Sequence, residues 1–221
     1  MRGGVVMAMI TRNAERRRGR AAAALAAAES GSIGARELDG SAGRILRAKE
    51  RWIHPAEPES AGRAEDFAAA ARMAREAVTA VRGKACRASE KTFFCGCADY
   101  RMTQASNADP EAKAFPEYMG ARFGAKFAVC SKDPDEKGIA ELVKCADGAG
   151  NIIFSSCNAH LFRGQLALAA ALAEKGVPMT VAALRNPYDL PLMPENAALL
   201  AAFDYSRDSL AALADVFSGG D

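Results

Sequence analysis

The chain has 221 residues, half of them hydrophobic, so it can bury a substantial core and is expected to form one domain or one domain with an appendage. A formal net charge of +2 argues against a dedicated nucleic-acid binder. No apolar stretch approaches the roughly 20 residues that span a bilayer as a helix, which argues against a membrane protein.

In chain order, residues 5–10 (VVMAMI) read as a short strand, too short for the core of a secretory signal and without a cleavage-site pattern after it. Residues 14–30 read as an Ala-rich helix with Arg16, Arg17, Arg18 and Arg20 near its start. Such a run is usually a solvated helix face, and no aromatic residues interleave with it to stack bases. Residues 35–51 give a second helix, with Leu38, Ala42, Ile45, Leu46 and Lys49 spaced in threes and fours. Two prolines among polar residues in HPAEPES, 54–60, cannot continue that helix and mark a linker, on whose surface His54 falls. A third helix is expected over 64–81, a strand over 91–97, polar loop over 98–116, a strand over 126–130 and a helix over 134–146.

The stretch from Asn151 carries the strongest pattern. Residues 151–156 and 179–184 are continuous apolar, partly β-branched runs, as in strands buried on both faces, and an Ala/Leu-rich run with helical periodicity, 164–174, lies between them. This is a βαβ unit, whose crossover makes the two strands parallel and requires helices on both sheet faces. A further strand at 198–203 and a helix at 206–217, capped by Ser206, complete an α/β fold. Its expected form is a doubly wound, mostly parallel sheet in a flavodoxin-like three-layer sandwich.

In such sheets ligands sit at the carboxyl ends of the strands, so the two strand-to-helix turns are the chemically interesting positions. One runs Cys157-Asn158-Ala159-His160 into Arg163-Gly164-Gln165; the other is Arg185-Asn186-Pro187-Tyr188-Asp189. Pro187 holds Asn186 extended and removes a donor, and Asn186 and Asp189 suit Asx-type turn bonds. Asn158, His160, Gln165, Arg185, Asn186 and Asp189 are therefore candidate substrate-cleft or domain-interface residues. His160 as a base oriented by Asp189 or Asp99 is weaker than His160 as a turn or contact residue, because no nucleophile stands in a recognisable elbow. Gln165 at a helix start can serve free backbone donors without any ligand.

Six cysteines, Cys86, Cys95, Cys97, Cys130, Cys145 and Cys157, lie mostly in or beside expected strands. They read as free, small apolar side chains in a reducing, cytoplasmic setting. Cys95-Gly96-Cys97 is too close-spaced for a zinc clamp, so neither metal nor cofactor is expected. The Gly148-Ala149-Gly150 run precedes a strand, the wrong order for a phosphate-binding fingerprint.

Asn158-Ala159-His160, Gln165, the LRNPYDL run at 184–190, LLAAF at 199–203 and SLAALADVFSG at 209–219 together resemble the C-terminal domain of family 3 glycoside hydrolases. The nearest likeness is to the exo-acting β-N-acetylhexosaminidases of that family. Residues 27–52, AAESGSIGARELDGSAGRILRAKERW, resemble the stretch where the family's catalytic barrel ends. The resemblance implies a remnant of a (β/α)8 barrel at 1–53, a linker at 54–63 and the sandwich domain at 64–221. It also implies a retaining mechanism whose carboxylate nucleophile, and whose His-Asp acid/base, belong to barrel segments ahead of Met1. No catalytic residue is then expected in this chain, which should be inactive alone. Some relatives take a glutamate acid/base from the second domain, but Glu90, Glu111, Glu117, Glu136 and Glu141 stand in no matching motif. The implied partners are a barrel in cis or trans and a glycan containing N-acetylglucosamine. The rival expectation is a free-standing flavodoxin-like module that binds a small ligand at the same two turns. Nucleic-acid binding through the arginine cluster ranks third.

Overall fold

The computed structural model describes residues 14–54, 62–98 and 113–219. The expected strand at 5–10 and most of the linker lie outside them. The described residues fall into two compact units, 14–54 and 62–219. Among them, no helix is long and apolar enough to cross a membrane.

The first unit is a helical pair, α1 (Ala14–Glu29) and α2 (Ala35–Trp52). Gly31, at φ 70°, ends α1 in the left-handed conformation that a Cβ would disfavour. The Gly31 N–H donates to Ala28 O at 3.0 Å, and the Ile33 N–H to Ala27 O at 3.0 Å, which closes the turn. Ser41 is the one buried residue among those of the unit whose burial is described, with Arg44 Nη2 donating to its Oγ at 3.1 Å. Leu25, Leu46, Trp52 and Ile53 are exposed.

The second unit holds a six-stranded sheet ordered β1-β6-β5-β4-β2-β3. Its strands are β1 (Thr79–Arg82), β2 (Thr92–Cys97), β3 (Lys126–Cys130), β4 (Asn151–Ser156), β5 (Met179–Ala183) and β6 (Ala198–Ala201). Strands β2 to β6 run parallel and β1 pairs antiparallel with β6. This is the doubly wound sandwich expected from the sequence, with β2 one strand in from the edge, between β3 at the edge and β4. The order reverses between β2 and β4, which places the crevice outside their carboxyl ends.

Alternation along each strand divides the apolar residues between two cores. Phe93, Ile152, Phe154, Val181 and Leu199 pack with Leu168 and Leu172 of α6 (Arg163–Ala173) and with α5 (Glu136–Cys145). Phe94, Ile153, Ala182 and Leu200 face α4 (Phe115–Phe123) and α7 (Arg207–Ser218). There Phe94 stacks on Phe123 at 5.7 Å and meets Phe115 edge-on at 6.2 Å. The helix over 206–217 appears as α7, with the Ser206 side chain accepting from Ser209 N–H as expected of its cap.

Two local expectations are corrected. The helix expected to reach 81 is α3 (Ala64–Ala77), which gives way to β1. Val78 takes extended geometry and Thr79 Oγ1 donates to Ala77 O at 3.0 Å, while Thr79 and Val81 are β-branched and suit a strand. The loop expected to run to 116 ends instead in α4. Pro116 sits in its first turn, where a missing N–H costs nothing, and Gly124 at φ 62° closes it.

Candidate functional site

The two turns named from the sequence leave adjacent parallel strands, β4 and β5, and their side chains meet. Asn158 is buried and left-handed at φ 55°; its carbonyl accepts from the Leu161 N–H at 2.9 Å and the Phe162 N–H at 3.2 Å. Its side-chain Oδ1 accepts from Asn186 Nδ2, which ties the first turn to the second. Residues 187–192 form a 3-10 helix, Pro187–Leu192, that brings Asp189 back beneath the first turn. Asp189 is fully buried, and its Oδ1 accepts from both the His160 backbone N–H at 3.0 Å and the His160 ring Nδ1 at 2.7 Å. With Nδ1 donating, the neutral ring presents Nε2 as an acceptor. Tyr188 meets the His160 ring edge-on at 5.9 Å. Of the two orienting partners considered for His160, the structure supplies Asp189; Asp99 lies outside the described residues.

Gln165 holds the turn from below. Its Oε1 accepts from the Cys157 N–H at 3.0 Å, and its Nε2 donates to Lys132 O at 2.7 Å and Cys157 O at 3.1 Å. It is fully buried and serves the end of β4 and the loop after β3, where the sequence had it capping its own helix. Gly164 lets that loop approach: a Cβ there would lie 2.2 Å from Pro134 O. Its N–H donates to Asp133 Oδ1 at 2.7 Å.

Arg185 stands apart from the other five. Its guanidinium lies over the Tyr205 ring at 5.8 Å, and its Nη1 is buried without a hydrogen-bond partner. Asp189 Oδ2 is likewise buried and unpartnered. Asn158, His160, Asn186 and Asp189 thus form one hydrogen-bonded cluster, Gln165 braces it, and Arg185 engages the loop after β6.

Four large apolar side chains form an exposed rim at the same end of the sheet, of which the sequence pointed only to Tyr188, within the second turn. Leu161, Tyr188, Leu192 and Phe203, from the loops after β4, β5 and β6, are each more than half exposed. Nothing in their residue types distinguishes them from core residues; Tyr188 and Leu192 are carried on the 3-10 helix, and Phe203 is left-handed at φ 61°. Nearby, burial works against the charge of Asp204. Hydrogen bonds from the Ser206 and Ser209 hydroxyls and the Tyr205 and Ser206 backbone outweigh it and hold the carboxyl below its ordinary range. Among the described residues no group of three or more His, Cys, Asp or Glu side chains is placed to hold a metal ion.

No family model matches the chain, and no curated protein does. Solved structures do. A family 3 β-N-acetylglucosaminidase from a Paenibacillus species superposes with a TM-score of 0.71 at 23% identity, over 99% of this chain and 44% of that one. A fungal multi-domain family 3 β-N-acetylglucosaminidase gives 0.66 at 17%, over 99% of this chain and 26% of that one. A β-glucosidase from Listeria innocua gives 0.61 at 13%, over 89% and 32%. The chain therefore spans less than half of these structures, and what it shares with them is the α/β sandwich fold of the C-terminal domain of family 3 glycoside hydrolases.

Proposed function

We propose that this chain is the C-terminal part of a family 3 glycoside hydrolase of the β-N-acetylglucosaminidase kind, acting in carbohydrate metabolism with a catalytic (β/α)8 barrel supplied in cis or in trans. The observation that carries this is the superposition of 99% of the chain on 44% of a β-N-acetylglucosaminidase, which takes in both compact units. The near absence of burial in 14–54 supports assigning 1–53 to the end of a barrel, joined through 54–63 to the sandwich domain at 64–221. A helical pair with one buried residue has no core of its own and needs a body to pack on.

In this reading the cluster of Asn158, His160, Asn186 and Asp189, with Gln165 and Arg185, shapes the edge of a cleft whose reacting groups belong to the barrel. The exposed rim of Leu161, Tyr188, Leu192 and Phe203 suits contact with that barrel or with a glycan containing N-acetylglucosamine. Retaining hydrolysis needs a nucleophile and an acid/base roughly 5 Å apart, and the His160 and Asp189 side chains are instead bonded directly to each other, an orienting arrangement. With its six cysteines free, the protein suits a reducing, cytoplasmic compartment.

The test is release of nitrophenol from an aryl N-acetylglucosaminide. The purified 221-residue chain should release none, and activity should appear when the barrel is joined to it or added. Turnover by the chain alone would overturn the reading. A self-contained small-ligand module is favoured by one observation, the two closed cores that residues 62–219 build by themselves. A chain with that role would stay monomeric at high concentration and give no activity with any barrel.

A further inference from the structure

Four of the six cysteines converge toward the carboxyl ends of β2, β3 and β4. Cys95 and Cys97 are two apart on β2 and share a face; Cys130 ends β3, and Cys157 follows β4. All four are buried in the same core, with Cys95 the most enclosed and Cys130 the least, at 0% and 7% exposure. The thiols pair by hydrogen bonds, Cys95 with Cys130 and Cys97 with Cys157. In the β2–β3 ladder Cys97 stands directly opposite Cys130, and both are the last residues of their strands.

We propose that Cys130 and Cys97 form a modifiable dithiol that closes to an intramolecular disulfide when a peroxide is supplied as oxidant. Directly opposed residues on neighbouring strands lie about 5 Å apart between Cα atoms, inside the window a disulfide requires. Cys95, though bonded to Cys130 through its thiol, stands opposite Ala128. Two residues of stagger add about 6.6 Å along the strand, so its Cα lies about 8 Å from that of Cys130, beyond bridging distance without backbone movement.

The chemistry divides between the two sulfurs. The hydrogen bond from Cys95 pushes the Cys130 thiol down, against the effect of burial, so Cys130 supplies the thiolate. The Cys97 thiol is held well above its ordinary range, first by its bond with Cys157 and then by burial, and so stays protonated until called on. Cys130 Sγ attacks a peroxide oxygen, the O–O bond breaks and hydroxide leaves, making a sulfenic acid. Cys97 Sγ then attacks that sulfur; the S–S bond forms, the S–O bond breaks, and water departs with the Cys97 proton. The two thiols lose two hydrogens and the peroxide is reduced to two waters. The product staples edge strand β3 to β2 at their carboxyl ends.

The experiment takes the reduced full-length chain, treats it with excess hydrogen peroxide, then denatures it, blocks free thiols and maps peptides without reduction. The expected result is one cross-linked peptide pair carrying Cys97 and Cys130, two hydrogens lighter than the sum of its reduced peptides and restored by dithiothreitol, with both thiols lost from the blocked pool. Cys130→Ser should leave Cys97 free, and Cys145→Ser, removing an exposed thiol, should change nothing. The wild-type pairing is decisive even if a variant fails to fold. A Cys97–Cys157 or Cys95–Cys130 bridge, or oxidation confined to Cys86 and Cys145, overturns the assignment.

Discussion

At the scale of single residues, packing around Gly96 and Gln165 gives the most decisive tests. A Cβ on Gly96 would lie 1.9 Å from Ser155 Oγ and 2.9 Å from Ser155 O, so Gly96→Ala forces β2 and β4 apart and should cost about 3 kcal/mol in urea unfolding. Ser155 Oγ is itself buried without a partner, so Ser155→Ala removes an unsatisfied hydroxyl and should be neutral or stabilising by about 1 kcal/mol. Because the carbonyl contact persists, Ser155→Ala should rescue Gly96→Ala only in part. A fully additive double mutant would show that the hydroxyl is not the obstacle. Gln165→Ala strips partners from the Cys157 N–H and from two carbonyls at once, and should destabilise by about 3 kcal/mol on the same assay. Gln165→Glu keeps the acceptor for the Cys157 N–H but loses both donated bonds and opposes two carbonyls, so it should recover little of that loss.

Among the elements, α7 has a pH-dependent start. Asp204 accepts from Ser209 Oγ at 3.1 Å just ahead of the helix, and its carboxyl is held below its ordinary range. A depressed carboxyl contributes stability that is present above its unfolded value, about 3.9, and is lost as pH falls through its lower folded value. Acid unfolding should therefore weaken for Asp204→Asn relative to wild type below pH about 4, and the two stability curves should lie farthest apart near neutrality. Parallel curves across that range would remove Asp204 from the account. The elements also differ in how much of them the sequence displays. Strands β4 and β5 are legible because both faces are buried, so IIF and MTVAA are continuous runs whose one polar residue, Thr180, is β-branched. Edge strand β1 is legible only afterwards, since TAVR is almost wholly exposed and its residues continue the Ala-rich composition of α3. Helix α4 was not legible because the polar stretch before it reads as loop up to Pro116, although a proline in the first turn and Gly124 just past the last residue are helix signals. The two turns of the site were legible because adjacent parallel strands deliver their loops to one end. The His160–Asp189 bond was legible only as one of two pairings, with Asp189 or Asp99, because it spans 29 residues and depends on a 3-10 helix that no periodicity announces.

For the whole molecule, the contrast between the two units sets its behaviour in solution. Residues 62–219 enclose two cores with Phe93, Phe94, Phe154 and Phe217 all buried, whereas 14–54 buries Ser41 and leaves Leu25, Leu46, Trp52 and Ile53 in solvent. Isolated helices of 16 and 18 residues are marginal in water unless an apolar face is packed. Local opening of the helical pair should therefore cost far less than opening of the sheet. Under limited trypsin digestion the pair, rich in arginine, should be cut within minutes while a fragment beginning near Gly62 persists, and that fragment should keep the full chain's urea midpoint. Adding a barrel that binds the pair should slow its cleavage in proportion to the barrel's occupancy, since anything that binds only the closed form lowers the open population. Cleavage of both units at one rate would instead mean that the helical pair and the sandwich unfold together, and the boundary at 54–63 would then have to be redrawn.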